Sequence, residues 1–304
     1  MAATTHRSPP IAHQEPDIDA VPEEASTRAH RFGCMVVSPA VQSHLPPREA
    51  SAVAISACII CCNEESDIGR CLSSLDWCDE IVVVDSGSTD RTVEIAREHT
   101  DRVFVQSWLG YGPQKEFAWS KASSDWIFWV DSDEVVTPEL RDEIKARFER
   151  KDLPGGFIVP RITWYINRWI RHGDWYPDHN LRLFQRSKAT MVSPEIHEHV
   201  EVDGPVETLR NPLEHHTYKD MHDHIKVANT YTSLSARQLF DNGRRFHWID
   251  LLVRPNWRFF RSYVIKAGFL DGFAGLSAAL ITCFSTYEKL LKLRELEIRR
   301  KASK

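Results

Sequence analysis

Three carboxylates crowd the end of an apolar segment in the sequence DWIFWVDSDEVVTPEL, residues 125–140. Residues 126–130 are bulky and apolar, as in a buried strand, and Asp131, Asp133 and Glu134 follow at once. Two carboxylates in an Asp-x-Asp arrangement can bind one divalent cation, because Mg²⁺ and Mn²⁺ prefer oxygen ligands and often share their sites with substrate phosphates. Taken alone, the pattern also suits solvent-exposed acids that precede a helix, and Thr137 as N-cap with Pro138 at the first position predicts such a helix.

Other apolar segments in the first half of the chain also end in polar residues. Residues 57–62 (ACIICC) lead into Asn63 and Glu64, which we interpret as the N-cap and acidic first turn of a helix. Residues 80–85 (EIVVVD) end in Asp85, and a helical pattern follows a short turn. Continuously apolar strands are typical of a parallel sheet covered by helices on both faces, and such sheets bind ligands beyond the carboxyl ends of their strands. We therefore expect an α/β fold with a mainly parallel sheet, whose acidic residues converge at one edge.

The composition argues against some other kinds of protein. The chain has 304 residues and a formal net charge of −5, which argues against nucleic-acid binding through a general basic field. Among its seven cysteines, Cys58-x-x-Cys61-Cys62 has no matching pair at zinc-finger spacing, so we expect buried thiols and a reducing compartment. Residues 1–52 contain no apolar signal-peptide core, and we interpret them as a disordered extension.

Three segments in sequence order, ISACIICCNEE, IVVVDSGSTDRT and WIFWVDSDE, together resemble the family 2 glycosyltransferases, which have the GT-A nucleotide-diphospho-sugar fold. GYGPQKEFAWSKASSDWI, RLFQRS and IHEHV look closer to one branch, the lipopolysaccharide-core β-glucosyltransferases. The resemblance covers roughly residues 55–215. It implies an enzyme that moves a hexose from a nucleotide-diphosphate sugar, UDP-glucose by preference, to a glycolipid or saccharide acceptor.

The resemblance also implies roles for individual residues. Asn63, Glu64 and Asp85 would bind the nucleotide sugar, with Asp85 at the base or ribose. Asp131 and Asp133 would form the metal site for Mg²⁺ or Mn²⁺, with Asp133 the more direct ligand and Asp131 also in contact with the donor. The cation would neutralise negative charge on the leaving diphosphate.

Two further assignments near this site remain open. Lys115, in GPQKEFA, either meets the diphosphate or donor sugar or is an ordinary solvated helix lysine. His215 or His216 either joins Asp133 as an extra metal ligand or satisfies local hydrogen bonds. Four aromatic residues between the Asp-x-Asp motif and Glu198 either stack on acceptor sugar or pack in the core: Trp164, Trp169, Trp175 and Tyr176.

An inverting transferase needs a base that takes the proton from the acceptor hydroxyl as its oxygen attacks the anomeric carbon. Glu198, within Ile-His-Glu-His at residues 196–199, is the candidate base, because it follows the Asp-x-Asp motif where the family places that group. Glu195 and Glu201 are nearby competitors. The alternative for Glu198 is a surface acid paired with a neighbouring histidine.

The C-terminal third combines apolar and basic residues. Residues 269–284 form the most apolar stretch, but its 16 residues fall short of the ~20 that span a bilayer. Basic residues interleave with aromatics before it, as in an interfacial helix against anionic lipid: Arg254, Arg258, Arg261 and Lys266. A helical hairpin packed on the catalytic domain is the alternative.

We accordingly divide the chain into a disordered extension (1–52), a GT-A catalytic domain (53–218) and a helical, membrane-interfacial region (219–304). The expected location is cytoplasmic, peripheral on the inner face of the cytoplasmic membrane. Two other functions compete with this interpretation: a polyprenyl-phosphate glycosyltransferase and a catalytically inactive nucleotide-sugar-binding module. The His-Glu motif and the RLF segment argue against the first, and the intact carboxylates argue against the second.

Overall fold

The computed structural model describes residues 53–192 and 199–302 of the chain. Its first half alternates strands and helices as the sequence predicts, and the first four strands are parallel in the order β3-β2-β1-β4. The strands are β1 (Ile55–Cys61), β2 (Glu80–Asp85), β3 (Val103–Val105) and β4 (Trp126–Trp129), and the helices are α1 (Ile68–Ser73), α2 (Thr92–His99) and α3 (Tyr111–Lys121).

The parallel strands β1, β2 and β4 are apolar throughout because both faces of this half of the sheet are covered. Along β1, Ala57 and Ile59 pack into one apolar cluster, and Cys58 packs into the cluster on the opposite face. Burial raises the pKa of the Cys58 and Cys61 thiols, so both are neutral. The expectation of buried thiols is confirmed for these two residues, while Cys62 is exposed.

The second half of the chain turns the sheet from parallel to mixed. Its elements are β5 (Glu134–Val136), α4 (Pro138–Phe148), β6 (Gly156–Tyr165), β7 (Arg168–Trp169), β8 (Asp178–Gln185), β9 (Ala189–Val192), β10 (His199–Val202), β11 (Val206–Thr208) and β12 (Leu213–His215). Strand β8 lies between β4 and β6 and is antiparallel to both, and β12 and β5 continue the sheet beyond β6. The expected α/β sheet flanked by helices is therefore confirmed, with antiparallel pairs added to its parallel half.

Two local signals around the carboxylates have different outcomes. The oxygen Oγ1 of Thr137 accepts a hydrogen bond from the Leu140 N–H at 3.1 Å, and Pro138 is the first residue of α4, as the sequence predicts. Asn63, in contrast, does not start a helix. Its φ of 57° is left-handed, and α1 begins only at Ile68.

The chain ends in a helical region made of α5 (Met221–Asp241), α6 (Trp248–Phe260) and α7 (Gly272–Ala302), with a π-helical turn (Arg261–Ile265) and a 3₁₀ turn (Gly268–Asp271) between the last two. The α7 helix is 31 residues long, so it extends well beyond the 16-residue apolar stretch predicted from the sequence. By length and composition, Gly268–Ala302 is the one helical segment of the described residues that could cross a membrane.

The buried carboxylate of Asp271 links this region to a loop between two strands of the sheet. Asp271 is 2% exposed, and its Oδ2 accepts hydrogen bonds from the backbone N–H groups of Arg171 (2.9 Å) and His172 (2.8 Å) in the loop between β7 and β8. The compact unit that contains the sheet runs from Ser51 to Lys304, and the division at residues 218 and 219 stays a prediction.

Candidate active site

The loops after β1 and β2 are joined to each other at the carboxyl edge of the sheet. The backbone N–H of Asn63 donates to Ser88 Oγ at 2.8 Å, and the Asn63 side-chain oxygen accepts from the Thr89 N–H at 2.8 Å. The Glu64 N–H donates to Thr92 Oγ1 at 2.7 Å. Asn63 thus holds the two loops together rather than capping a helix.

Asp85 lies beneath these loops and is 1% exposed. Its Oδ2 accepts hydrogen bonds from the N–H groups of Gly87 and Ser88, each at 2.9 Å, and its Oδ1 accepts from the Ser88 hydroxyl. Gly87 has a φ of 95°, which suits glycine and lets the backbone turn over the carboxylate. These contacts give Asp85 a role in shaping the loop, and its contact with a nucleoside stays a prediction.

Glu64 faces the Asp-x-Asp motif from the end of β1. Burial, together with the negative charges of Asp133 and Asp67, raises the pKa of Glu64 to about 7. A cation bound beside Asp133 would offset that repulsion and favour the ionised form. The protonation of Glu64 is therefore coupled to whatever binds at this edge.

Asp131, the first aspartate of the motif, is held by three side chains. Its Oδ1 accepts from the Trp129 indole N–H at 3.2 Å and lies 3.5 Å from Lys115 Nζ, and its Oδ2 accepts from Arg182 Nη2 at 2.9 Å. Burial opposes ionisation of this carboxyl, but the charges of Arg182 and Lys115 outweigh burial and hold its pKa well below the usual range. Asp131 is thus a fixed anion whose two oxygens are already bound by the protein.

Lys115 is not the solvated helix lysine of one interpretation. It is 5% exposed, and its Nζ lies 3.6 Å from the centre of the Trp129 ring, close enough for a cation–π interaction. The helix α3 thereby brings a buried positive charge to the Asp-x-Asp motif. Its contact with a diphosphate or sugar stays a prediction.

A chain of ion pairs extends from Asp131, and its two arginines were not among the site residues predicted from the sequence. Arg182 Nη2 also donates to Glu134 Oε1 at 2.6 Å, and Arg161 Nη1 donates to the same oxygen at 3.1 Å. Arg161 in turn binds Asp178 Oδ2 through Nε at 2.9 Å and Nη2 at 2.6 Å. Glu134 is fully buried and Arg182 is 5% exposed, so this chain fixes the side chains around the motif in one arrangement.

Asp133 meets a histidine from a distant strand. Its Oδ2 lies 3.0 Å from Nε2 of His215 at the end of β12, and its carbonyl accepts from the His216 N–H at 3.0 Å. The strand pairing of β12 with β5 brings the two residues together. His215, rather than His216, is the histidine that the fold places on this carboxylate.

The pair formed by Asp133 and His215 fits a divalent cation of the kind the resemblance implies. Two ligand atoms 3.0 Å apart can occupy adjacent positions around an octahedral cation with bonds of about 2.1 Å. Within the described residues no three His, Cys, Asp or Glu side chains form a cation site, so remaining ligands would come from diphosphate and water. Nδ1 of His215 is buried without a partner among the described atoms, which leaves Nε2 as the nitrogen facing Asp133.

The predicted base cannot be located. Glu198 and its competitor Glu195 lie outside the described residues. Glu201 is in β10 with 69% of its side chain exposed, and one of its oxygens lies 3.4 Å from His199 Nε2. Glu201 is thus a surface acid next to a histidine, as one interpretation holds for this segment.

A cavity of about 300 Å³ is lined in part by His215. Arg161 and Asp178 contribute polar walls, and Trp175 and Tyr218 contribute aromatic ones. The other aromatic candidates differ: Trp164 and Trp169 pack edge-to-face at 5.0 Å and sit beside His216. The cavity is large enough for a sugar ring and offers both ring faces and charged groups.

The floor beneath the cavity is an aromatic cluster around His224. The Tyr165 hydroxyl and His224 Nδ1 are 2.7 Å apart, and the Tyr218 and His224 rings stack with centroids 4.0 Å apart. Burial lowers the pKa of His224 to about 4, so the imidazole is neutral near pH 7. This histidine packs against Trp175 and Tyr218, which line the cavity.

Comparisons with known proteins agree with one another. The family described as "Glycosyl transferase family 2" matches residues 56–202. The chain is 32% identical to the lipopolysaccharide core biosynthesis glycosyltransferase LpsC of Rhizobium meliloti over 77% of this chain and 92% of that protein. It is also 32% identical to the uncharacterized glycosyltransferase RT0209 of Rickettsia typhi, over 81% of this chain and 88% of that protein.

Among solved structures, the chain resembles the Mycobacterium tuberculosis glucosyl-3-phosphoglycerate synthase determined with Mn²⁺, UDP and phosphoglyceric acid. The TM-score is 0.44 at 16% identity, over 64% of this chain and 80% of that one. This likeness is too distant to support conclusions about chemistry.

Proposed function

Because the chain belongs to glycosyl transferase family 2, we propose that it is a metal-dependent, inverting glycosyltransferase that moves glucose from UDP-glucose to a glycolipid acceptor of the lipopolysaccharide-core type. The observation that carries the proposal is the pairing of Asp133 with His215 beside a cavity with aromatic walls. The alignment with the lipopolysaccharide core glycosyltransferase, which spans 92% of that protein, supports the choice of acceptor.

In this proposal the carboxyl edge of the sheet binds the donor. Asp133 and His215 would hold Mg²⁺ or Mn²⁺, which would supply positive charge to neutralise the diphosphate. Lys115 adds a buried cation to the same edge, and its position over Trp129 keeps it from moving into solvent. Glu64, with Asn63 and Asp85 in the joined loops, forms the wall against which the nucleoside lies.

Asp131 acts in this scheme by orientation. Its two oxygens are bound by Trp129, Lys115 and Arg182, so it keeps these groups at fixed positions around the donor phosphates. Such preorganised charge lowers the barrier because no reorganisation is needed when the diphosphate leaves. Asp133 is therefore the metal ligand of the motif, and Asp131 is the residue that positions its surroundings.

The cavity beside His215 is the proposed acceptor site. Trp175 and Tyr218 offer ring faces for a sugar, and Arg161 and Asp178 offer groups for its hydroxyls. Glu198 is the proposed base: it takes the proton of the attacking hydroxyl while the acceptor oxygen forms its bond to the anomeric carbon and the bond to the diphosphate breaks. A single displacement of this kind inverts the anomeric configuration.

We place the reaction at the inner face of the cytoplasmic membrane, where a lipid-linked acceptor and a nucleotide sugar can meet. The support is the set of large apolar side chains that the C-terminal helices expose, including Trp248, Leu252 and Phe273.

The test begins with the thermal stability of the purified protein against a panel of nucleoside diphosphates, with and without Mn²⁺. A ligand at 100 times its Kd should stabilise the fold by about 2.7 kcal/mol. We expect a shift with UDP that requires Mn²⁺ and disappears in Asp133→Ala. If the protein is folded and none of the nucleotides raises its melting temperature, the proposal is overturned.

The Glu198→Gln variant separates a transferase from an inactive binding module. We expect it to keep the UDP shift and to lose transfer to a core-oligosaccharide acceptor, because the amide cannot take the proton. Wild-type protein that binds UDP-glucose but transfers no sugar to any acceptor would support the binding-module alternative. Activity that survives Glu198→Gln would disprove the base assignment.

A further inference from the structure

The outer face of α6 is apolar although nothing in the described structure covers it. Exposed side chains recur along it at three- and four-residue spacing, which places them on one side of the helix: Ile249, Leu252, Val253, Trp257 and Phe260. Ile249 is 66% exposed and Leu252 is 65% exposed. The π-helical and 3₁₀ turns that follow add Val264, Ile265, Phe269 and Leu270. We call these nine residues the apolar face.

Positive side chains border the apolar face. Arg254 and Arg258 are exposed on α6, and burial together with the charges of these two arginines lowers the pKa of Lys289 on α7. Asp250, the one acidic residue of α6, is bound by Arg244 at 2.8 Å and Arg254 at 2.9 Å. A rim of this sign complements an anionic surface.

A compact cluster of cations lies where the apolar face approaches the cavity. Arg258 Nη1 lies 3.7 Å from Asp174 Oδ2, Lys266 Nζ lies 3.0 Å from Asp174 Oδ1, and Arg261 donates to the same Oδ1. Asp174 itself lines the cavity beside Trp175. Three cations share one carboxylate, so the cluster carries two positive charges in excess, and each cation keeps more than a third of its side chain exposed.

We propose that the apolar face docks onto an anionic phospholipid bilayer, with headgroup phosphates bound by Arg258, Arg261 and Lys266 where they surround Asp174. The arrangement of apolar residues, tryptophan and flanking basic residues is that of helices that lie in the membrane interface. Guanidinium groups recognise phosphate through paired hydrogen bonds, which is the chemistry that this cluster leaves available. A bilayer bound to the apolar face and these cations would therefore lie next to the cavity, which Asp174 lines.

The same structure argues that α7 lies on the membrane rather than crossing it. Lys292 Nζ donates to the Asn229 carbonyl at 2.8 Å and to Thr232 Oγ1 at 2.9 Å on α5, and Glu297 accepts from the Phe246 N–H at 2.9 Å. Leu290 and Leu293 are buried in the same contact. To span a bilayer, α7 would have to abandon these contacts, which hold its C-terminal half against α5 and the segment before α6.

This inference rests on the proposed function only for one point, the reason why the protein would bind a membrane. Its test therefore uses neither donor nor acceptor. The full chain is sedimented with vesicles of phosphatidylcholine alone and with vesicles that also contain phosphatidylglycerol, at low and high salt. We expect binding to the anionic vesicles that weakens as salt rises, and little binding to the neutral ones. Failure to bind anionic vesicles at low salt would overturn the proposal.

Paired variants identify the surface. Leu252→Glu and Trp257→Glu should each weaken vesicle binding at least about tenfold, because they place a negative charge in the apolar face. Val105→Glu makes the same charge change at an exposed valine of β3 and should leave binding nearly unchanged. Equal losses in all three variants would contradict the assignment of the surface.

The cations are tested in the same way. Arg254→Gln and Arg258→Gln should each lower vesicle affinity about fivefold at low salt and less at high salt. Arg91→Gln, which removes an exposed arginine directly before α2, is the matched control. Light scattering on the same samples tests whether a second copy of the chain covers the apolar face. If the wild type is a dimer, Trp257→Glu is a monomer and neither binds vesicles, the apolar face is a dimer interface instead.

Discussion

The guanidinium of Arg182 binds Asp131 of the Asp-x-Asp motif at 2.9 Å and stacks over Trp129 with its centre 5.2 Å from the ring. The two charged residues are 51 positions apart and meet because β8 runs antiparallel beside β4. The cation that fixes the motif is thus contributed by the strand that interrupts the parallel order of the sheet. The donor edge depends on the second half of the chain as well as the first.

Replacing Arg182 with methionine should strongly destabilise the protein. The change leaves Glu134, which is fully buried, and Asp131, whose side chain is 29% exposed, with less positive charge. Removal of one partner from a buried pair costs about 3–5 kcal/mol. Urea denaturation at neutral pH measures the loss. Arg91→Met, at an exposed ion pair on α2, should cost at most about 1 kcal/mol. A loss below about 1 kcal/mol in Arg182→Met would show that the ion-pair chain is not structurally important.

His215→Asn should weaken cation-dependent nucleotide binding by at least about tenfold, because it removes the nitrogen 3.0 Å from Asp133. His216→Asn is the matched control. It alters the neighbouring residue, whose imidazole sits beside Trp164 and Trp169 and whose contact with Asp133 is a backbone hydrogen bond that the change preserves. Calorimetric titration of UDP in the presence of Mn²⁺ reports both affinities. Equal affinity in His215→Asn and wild type would remove this histidine from the cation site.

Glu64 should make stability depend on pH. Its pKa is about 7 in the folded protein against an ordinary value of 4.5, so its stabilising contribution is complete below pH 4.5 and is lost as pH rises through 7. Glu64→Gln should therefore match wild type near pH 4 and exceed its stability by about 1–3 kcal/mol near pH 8. Denaturation curves across this pH range give the difference, with Glu65→Gln as the control for removing an adjacent carboxylate. A difference that does not change with pH would contradict this prediction.

Glu64 should also make ligand binding release a proton. Binding of a cation beside Asp133 favours the ionised form of Glu64, so UDP with Mn²⁺ should bind more weakly as pH falls below 7. Calorimetry in buffers with different ionisation heats counts the protons released. The Glu64→Gln variant should release fewer of them than wild type, and an unchanged number would assign the proton to another group.

Asp271→Ala should loosen the contact between the C-terminal helices and the loop that carries Trp175. The carboxylate accepts two backbone N–H groups at 2.8 and 2.9 Å, and leaving buried donors unpaired costs about 1–3 kcal/mol each. Hydrogen exchange should speed up at Arg171 and His172 while the strands β1 and β2 keep their protection. Asp241→Ala, at an exposed carboxylate of α5, should change neither. Uniformly faster exchange over the sheet would indicate global destabilisation instead.

The sequence predicts the elements of the parallel half well because each is encoded locally. Continuous apolar runs define β1, β2 and β4, and the Thr-Pro pair marks the start of α4. The convergence of Glu64 and Asp133 also follows, since parallel strands end at one edge. The prediction that Asn63 begins a helix was wrong because its side chain accepts a hydrogen bond from Thr89 in another loop. Local sequence does not reveal that partner.

Tertiary partners could not be predicted in the same way. Lys115 looks like a surface residue in its helix, and only its packing over Trp129 shows it to be buried. Arg182 is a single charge in an otherwise apolar strand segment, which was a usable signal for a buried ion pair. The identity of its partners, however, depends on strand pairing over long sequence distances.

The ion pairs that run from Asp131 through Arg182, Glu134 and Arg161 to Asp178 alternate in sign without a break. A substitution that reverses or removes one charge is therefore harmful unless a neighbouring link changes as well. During evolution, the row of ion pairs can therefore change only through paired replacements. Related sequences that differ at one of these five positions should accordingly also differ at the residue paired with it. The five charges should therefore be inherited together.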